Sequence, residues 1–173
     1  MRIVAGRWRG RKIDAPLGAD VRPTLDSVRE AWMSILQADI PGARVLDLFA
    51  GSGALGLESL SRGAAHADFV EKDMRVFTAL QKNVATLGAG EVVTLHRGDA
   101  IRFARDLTAH SYDLAFADPP YLAGAAATLA SHWLNVPFAA VLSIEHSARD
   151  DMPGTPDTRR YGTTAITIYR MED

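Results

Sequence analysis

Cysteine is absent from the 173 residues, which excludes disulfides, a thiol nucleophile and any cysteine-ligated zinc or iron–sulfur centre. The five histidines stand at positions 66, 96, 110, 132 and 146 with no pair at ligand spacing, so no metal is expected. No apolar run follows the basic N-terminus (Arg2, Arg7, Arg9), so nothing reads as a signal peptide and a cytoplasmic chain is expected. Residues 119–144 lack Asp, Glu, Lys and Arg, which is long enough to raise the question of a membrane span. Pro119, Pro120, Gly124, His132, Asn135 and Pro137 interrupt that stretch, and it reads as buried core in a helix-like and a strand-like half. Internal repeats and low-complexity segments are also missing. With 47% hydrophobic and 23% charged residues, the chain has the apolar material of one ordinary domain. A disordered tail, a fibre and a disulfide-stapled mini-protein are thereby excluded.

Acids are missing from the first twelve residues, which carry Arg2, Arg7, Arg9, Arg11 and Lys12. The formal charge of −2 less that +5 leaves −7 on the other 161 residues, a basic arm on an acidic body. Gly6, Gly10, Pro16, Gly18 and Pro23 punctuate residues 1–24, which predicts an extended arm or small hairpin. The expected division is this arm, 1–24, and one domain, 25–173. A helix over residues 24–36 opens the domain, with Thr24 or Asp26 as its cap.

From Arg44 the pattern alternates. Strands are predicted over 44–49, 68–71, 92–96, 112–117 and 139–145, with helices over 54–62, 74–87, 100–107 and 125–134 between them. Strands separated by helices of that length predict right-handed βαβ units, a mostly parallel sheet and helices on both faces. The segments 158–161 and 164–169, joined at Gly162, read as an antiparallel pair at a sheet edge.

The first strand runs into Asp47-Leu-Phe-Ala-Gly51-Ser-Gly53-Ala-Leu-Gly56, a glycine-rich strand-to-helix turn that lets a ligand approach the backbone. Glu71 ends the second strand, twenty residues past Gly51, where a carboxylate can accept from both ribose hydroxyls. NAD and S-adenosylmethionine both carry an adenosine. Asp47 separates them, because an acid beside the glycines suits an ammonium and repels a pyrophosphate. Asp99, at the end of the third strand, can accept from an adenine amino group or cap the next helix. The sum favours S-adenosylmethionine.

The fourth strand runs into Asp118-Pro119-Pro120-Tyr121. Two prolines fix the backbone and remove two N–H donors, leaving carbonyls that only accept. Beside a carboxylate and an aromatic face, such a turn suits a planar base bearing an exocyclic amino group. That nitrogen is a poor nucleophile until its two hydrogens are held and its lone pair is aimed. Asp118 accepts one hydrogen and stabilises the growing positive charge, the Pro119 carbonyl accepts the other, and Tyr121 stacks on the unstacked base.

These segments resemble a known family. Gly6-Arg-Trp-Arg-Gly10-Arg11, Arg22-Pro23-Thr24-Leu-Asp26-Ser-Val-Arg29-Glu30, the run from Asp47 to Glu58 with Ser61-Arg62-Gly63-Ala64, and Asp118 to Tyr121 together resemble the RsmD family of 16S rRNA guanine-N2 methyltransferases. The resemblance implies a Rossmann-like class I methyltransferase fold, α/β, with seven strands, the last antiparallel. It implies S-adenosylmethionine on Asp47, Ala50, Gly51, Gly53, Glu71, Lys72, Asp99, Ala100 and Thr24, and Arg22 near the target nucleotide. The substrate it implies is small-subunit rRNA within the 30S particle, met by a monomer.

Arg7, Arg9, Arg11 and Lys12, with Trp8 among them, form a candidate RNA-binding strip in which Trp8 either stacks or packs. Trp32 and Trp133 read as core and His146 as a structural histidine. Glu58 and Arg62, four apart, read as a surface helix pair. The alternatives are a DNA amino-methyltransferase (adenine N6 or cytosine N4), an NAD-dependent oxidoreductase, and a non-catalytic RNA-binding or ribosome-assembly factor.

Overall fold

A computed structural model of the chain describes residues 1–15, 26–121 and 124–172. Parallel strands β1 (Arg44–Leu48), β2 (His66–Glu71), β3 (Val93–Arg97), β4 (Tyr112–Ala117) and β5 (Ala139–Ser147) alternate with helices α2 (Ala54–Ser61), α3 (Met74–Leu87), α4 (Ala100–Arg105) and α5 (Ala125–Asn135). Helix α1 (Asp26–Ile35) precedes them, and β6 (Asp157–Tyr161) and β7 (Thr164–Arg170) follow. The seven strands lie in the order β3-β2-β1-β4-β5-β7-β6. Only β7 runs against the rest, and it pairs with both β5 and β6. The C-terminal strands are the expected antiparallel pair at one edge of the sheet. β7 is an apolar, buried inner strand, and the more polar β6 forms the edge.

Alternating strand residues feed two cores. Val45, Phe69, Leu114 and Phe116 face α1, α2 and α3, whereas Leu46, Leu48, Val70, Ala115 and Ala117 face α4 and α5. Trp32 is fully buried in the first core, edge-on to Phe116 at 5.7 Å, with its indole N–H donating to Ser143 Oγ at 2.9 Å. Trp133 donates to the Ala139 carbonyl at 2.8 Å in the second. β2 starts at His66, two residues before the predicted strand, because its polar residues are satisfied across the sheet. Asp68 accepts from the Tyr112 hydroxyl at 2.8 Å and contacts His96 Nε2 at 3.1 Å and His66 Nε2 at 3.2 Å. No helix among the described residues is long and apolar enough to cross a membrane.

The arm is a small hairpin, closed by an antiparallel bridge between Arg2 and Lys12. Ile3, Trp8 and Ile13 are buried in the same core as α1, α2 and α3. Trp8 packs; it is not offered to a ligand, and the Arg7 guanidinium lies 4.2 Å over its ring. Glu58 corrects the expected surface pair with Arg62. Its side chain is buried, and the carboxylate accepts from the Val4 N–H at 2.8 Å, the Ala5 N–H at 3.2 Å and Arg62 Nε at 3.2 Å. The next turn of α2 adds Ser61, whose carbonyl accepts from the Arg7 N–H at 2.9 Å and whose Oγ accepts from the Trp8 N–H at 3.0 Å. Gly6 makes this approach possible, since a Cβ there would lie 1.8 Å from the Ser61 carbonyl oxygen.

Replacing Glu58 with alanine strands two half-buried backbone donors. The expected loss is about 2–4 kcal/mol in urea unfolding, with faster proteolysis in the hairpin. A loss under about 0.5 kcal/mol is what an exposed helix pair would give, and would contradict the clamp.

Candidate active site

The glycine loop begins inside the sheet. Asp47 points from β1 toward α2 and is 1% exposed, with Oδ2 accepting the Gly56 N–H at 3.0 Å. Gly56 is small for that reason: a Cβ would come within 2.3 Å of the Phe69 ring and 3.1 Å of Asp47 Oδ2. Phe49, just past the strand, has φ 57, a left-handed conformation that a bulky residue adopts only under constraint. The chain then crosses toward β2, with the Ala50 N–H on the Val70 carbonyl at 3.0 Å. The Gly51 N–H donates to Glu71 Oε1 at 3.0 Å, and the other Glu71 oxygen accepts from the Asp73 N–H at 2.9 Å. Gly53, at φ 86, caps α2 where a Cβ would lie 2.5 Å from Leu80 Cδ1.

Burial pushes the Asp47 carboxyl well above the usual carboxylate range. The Gly56 N–H opposes that rise, and the charges of Asp118 and Glu71 reinforce it. Asp47, Asp118 and Glu71 are thus close enough to act on one another. The glycine loop, the end of β2 and the end of β4 bring three acids together at the carboxyl ends of the strands. Asp118 is half-buried, Pro119 buried, and Pro120 and Tyr121 exposed. β3 reaches the same rim through the Gly98 N–H, which donates to the Glu71 carbonyl at 3.0 Å. Asp99 caps α4 by accepting the Arg102 N–H at 2.9 Å, while Ala100 is buried and Lys72 exposed beside Glu71.

Three residues that sequence reasoning passed over support this cleft. Asn83, buried on α3, donates to the Ser52 and Asp14 carbonyls, each at 2.9 Å, and accepts the Asp14 N–H at 2.8 Å. It ties the glycine loop to the end of the hairpin. The Tyr121 hydroxyl donates to Thr164 Oγ1 at 2.6 Å, and Thr164 lies 2.9 Å from Glu145 Oε1. Glu145 is 1% exposed inside an apolar strand, which was the one signal available for it. His146 is structural, held by the Ser147 carbonyl at 2.8 Å and Thr167 Oγ1 at 2.6 Å.

The basic strip lies on the hairpin, apart from the acids. Arg7, Arg9, Arg11 and Lys12 are exposed there, and Arg11 donates to the Thr86 carbonyl at 2.7 Å. Arg22 and Thr24 lie outside the described residues.

The raised pKa of Asp47 has a thermodynamic consequence. A carboxyl whose folded pKa exceeds its unfolded value binds more proton in the folded state, so its contribution to stability is present at low pH and is lost as pH rises through the folded pKa. The stability of an Asp47→Asn variant, measured against the parent by urea unfolding, should therefore improve as pH rises from about 4, the unfolded value. A difference that stays flat, or turns the other way, would contradict a buried, protonatable Asp47.

Comparison with known proteins places the chain. Residues 1–170 match the family described as conserved hypothetical protein 95. Ribosomal RNA small subunit methyltransferase D of Escherichia coli strain K12 is 45% identical over 124 residues, 72% of this chain and 62% of that protein, so the match spans under two thirds of the relative. The protein of the same name from Haemophilus influenzae is 35% identical over 99% of this chain and 92% of its own length. Among solved structures, yhhF of Escherichia coli has a TM-score of 0.85 at 35% identity, covering 99% of this chain and 98% of that one. An RNA methyltransferase from Salinibacter ruber in complex with S-adenosyl-L-homocysteine shares the fold, with a TM-score of 0.68 at 16% identity, over 86% of this chain and 93% of that one. S-adenosylmethionine is the family's cofactor, and the residues present fit it. Among the described residues nothing lies within 4 Å of a Cβ placed on Gly51 or Gly98, which leaves both backbones open to a ligand, and the surrounding acids suit a ligand bearing ammonium and sulfonium charges. The fold and these full-length matches make this chain a member of the RsmD family, on the class I methyltransferase fold.

Proposed function

We propose that the chain transfers a methyl group from S-adenosylmethionine to the exocyclic N2 amino group of a guanine in small-subunit (16S) rRNA. The observation that carries the reading is the placement of Asp118 and buried Pro119 at the end of β4, next to β1 and electrostatically coupled to Asp47. S-adenosylmethionine, when bound, supplies an electrophilic methyl group. Glu71 and the Gly51 backbone receive the ribose, Asp99 the adenine amino group, and Asp47 draws the ammonium. Ala50, Gly53, Lys72 and Ala100 complete that cradle, with Thr24.

The chain's own groups then act on the base. Asp118 accepts one amino hydrogen and the Pro119 carbonyl the other, which leaves the nitrogen lone pair facing the cleft. The Asp118 carboxylate stabilises the positive charge that grows on nitrogen and afterwards takes the proton. Pro120 stiffens the turn, and Tyr121, braced through its hydroxyl by Thr164, gives the base a stacking face. The rRNA reading draws on relatives named for small-subunit rRNA and on the exposed cations of the hairpin, Arg7, Arg9, Arg11 and Lys12. A cytoplasmic monomer acting on the 30S particle completes the proposal.

Transfer of labelled methyl from S-adenosylmethionine to small subunits lacking the modification, run beside naked 16S rRNA and DNA, tests this function. Label should appear in rRNA as N2-methylguanosine. Asp118→Ala should cut turnover at least ~100-fold while cofactor affinity stays within about threefold. Label in DNA alone, or in rRNA at another atom, would refute the target. Full turnover by Asp118→Ala would refute the mechanism.

A further inference from the structure

Outside the cleft, the charge least accounted for is Arg29. It lies in the first turns of α1 and is 3% exposed, yet among the described residues its Nε and Nη1 have no hydrogen-bond partner. Nη2 alone is engaged, donating to the Arg2 carbonyl at 3.2 Å and lying 3.4 Å from the exposed Asp26 carboxylate. A buried guanidinium with two unpartnered nitrogens is costly unless an anion compensates it. Arg29 also forms part of the wall of a groove of about 480 Å³ between the hairpin and α1, together with Arg2, Arg9, Asp26 and Glu30. Three guanidiniums against two carboxylates leave one positive charge in excess, the complement of one phosphodiester.

We propose that this groove binds one backbone phosphate of the RNA substrate. Arg2 and Arg9 reach its oxygens, and Arg29 supplies a fixed positive wall whose side-chain entropy is already lost on folding. The hairpin, clamped by Glu58, holds one side of the groove and α1 the other. This rests on the rRNA reading above and adds a defined site to the exposed strip.

The test is equilibrium binding of 16S rRNA across a salt series by the parent, Arg29→Met and the double variant Arg2→Ala/Arg9→Ala. Affinity for S-adenosylhomocysteine and melting temperature are measured alongside. Both variants should lose at least ~5-fold in RNA affinity near 0.1 M salt, with a salt slope shallower by about one, and keep cofactor affinity. Arg29→Met should melt no lower than the parent, since the buried cation it removes has only one of its three nitrogens engaged among the described residues. The double variant changes exposed side chains and carries the test should Arg29→Met not fold. Unchanged RNA affinity and slope beside a lowered melting temperature would make Arg29 a hairpin clamp and overturn the site, leaving the methyltransferase reading intact if the parent still methylates rRNA. Stabilisation of the parent by inorganic phosphate, lost in the variants with no change in RNA binding, would assign the groove to a free anion and overturn it too. A parent that neither binds nor methylates rRNA removes both readings together.

Discussion

The structure depends on one topological constraint: β1 lies between β2 and β4, so the chain reverses direction across the sheet at the β1–β4 boundary. The connection after β1 leads to α2 on one face, and that after β4 to α5 on the other. Their loops therefore diverge and open a crevice at the carboxyl ends of the two strands, the place where open α/β sheets take ligands. Everything chemical follows from that opening. The Asp47 carboxyl sits in its wall with the glycine loop above it, and Asp118 emerges from the neighbouring strand. Burial is the main cause of the raised Asp47 pKa, the charges of Asp118 and Glu71 add to it, and a cation near these acids offsets that added repulsion.

Much of this was legible in the sequence, for physical reasons. Periodicity and glycine stops located α3 and β4 at their observed bounds, because Met74–Leu87 has one apolar stripe ended by Gly88 at φ 64, and Tyr112–Ala117 is a short buried run. The glycine loop and the Asp-Pro-Pro-Tyr turn announced themselves because backbone approach to a ligand demands particular residues. What stayed hidden were long-range partnerships. Glu58 beside Arg62 looks like a surface pair until the hairpin, more than fifty residues upstream, delivers two amides to its carboxylate. Asn83 and Thr164 carry no local signal, and Glu145 only that of an acid inside an apolar strand, since each gains its role from a segment far away in the chain. The place of β7 between β5 and β6 was equally invisible, because a tight turn specifies pairing but not which strand of the pair goes inside.

The hairpin joins the two halves of the account. Its apolar residues belong to the core of the α1–α3 face, its backbone is held by Glu58 and Ser61, and its end is fastened through Asn83 to the glycine loop. A basic arm anchored in this way presents its cations from a fixed frame. Rigid presentation lowers the entropy lost on binding a polyanion and sets its position relative to the cleft. The acidic remainder of the chain restrains non-specific attraction to nucleic acid.

The most direct test of the central claim, that the β1–β4 crevice holds the cofactor against the Asp118 turn, is a crystal structure of the protein with S-adenosylhomocysteine. The account predicts the ribose hydroxyls on Glu71, the amino acid end over Gly51 toward Asp47, and the sulfur facing Asp118 and Pro119. A ligand bound elsewhere, or one whose sulfur faces away from the Asp118 turn, would contradict it.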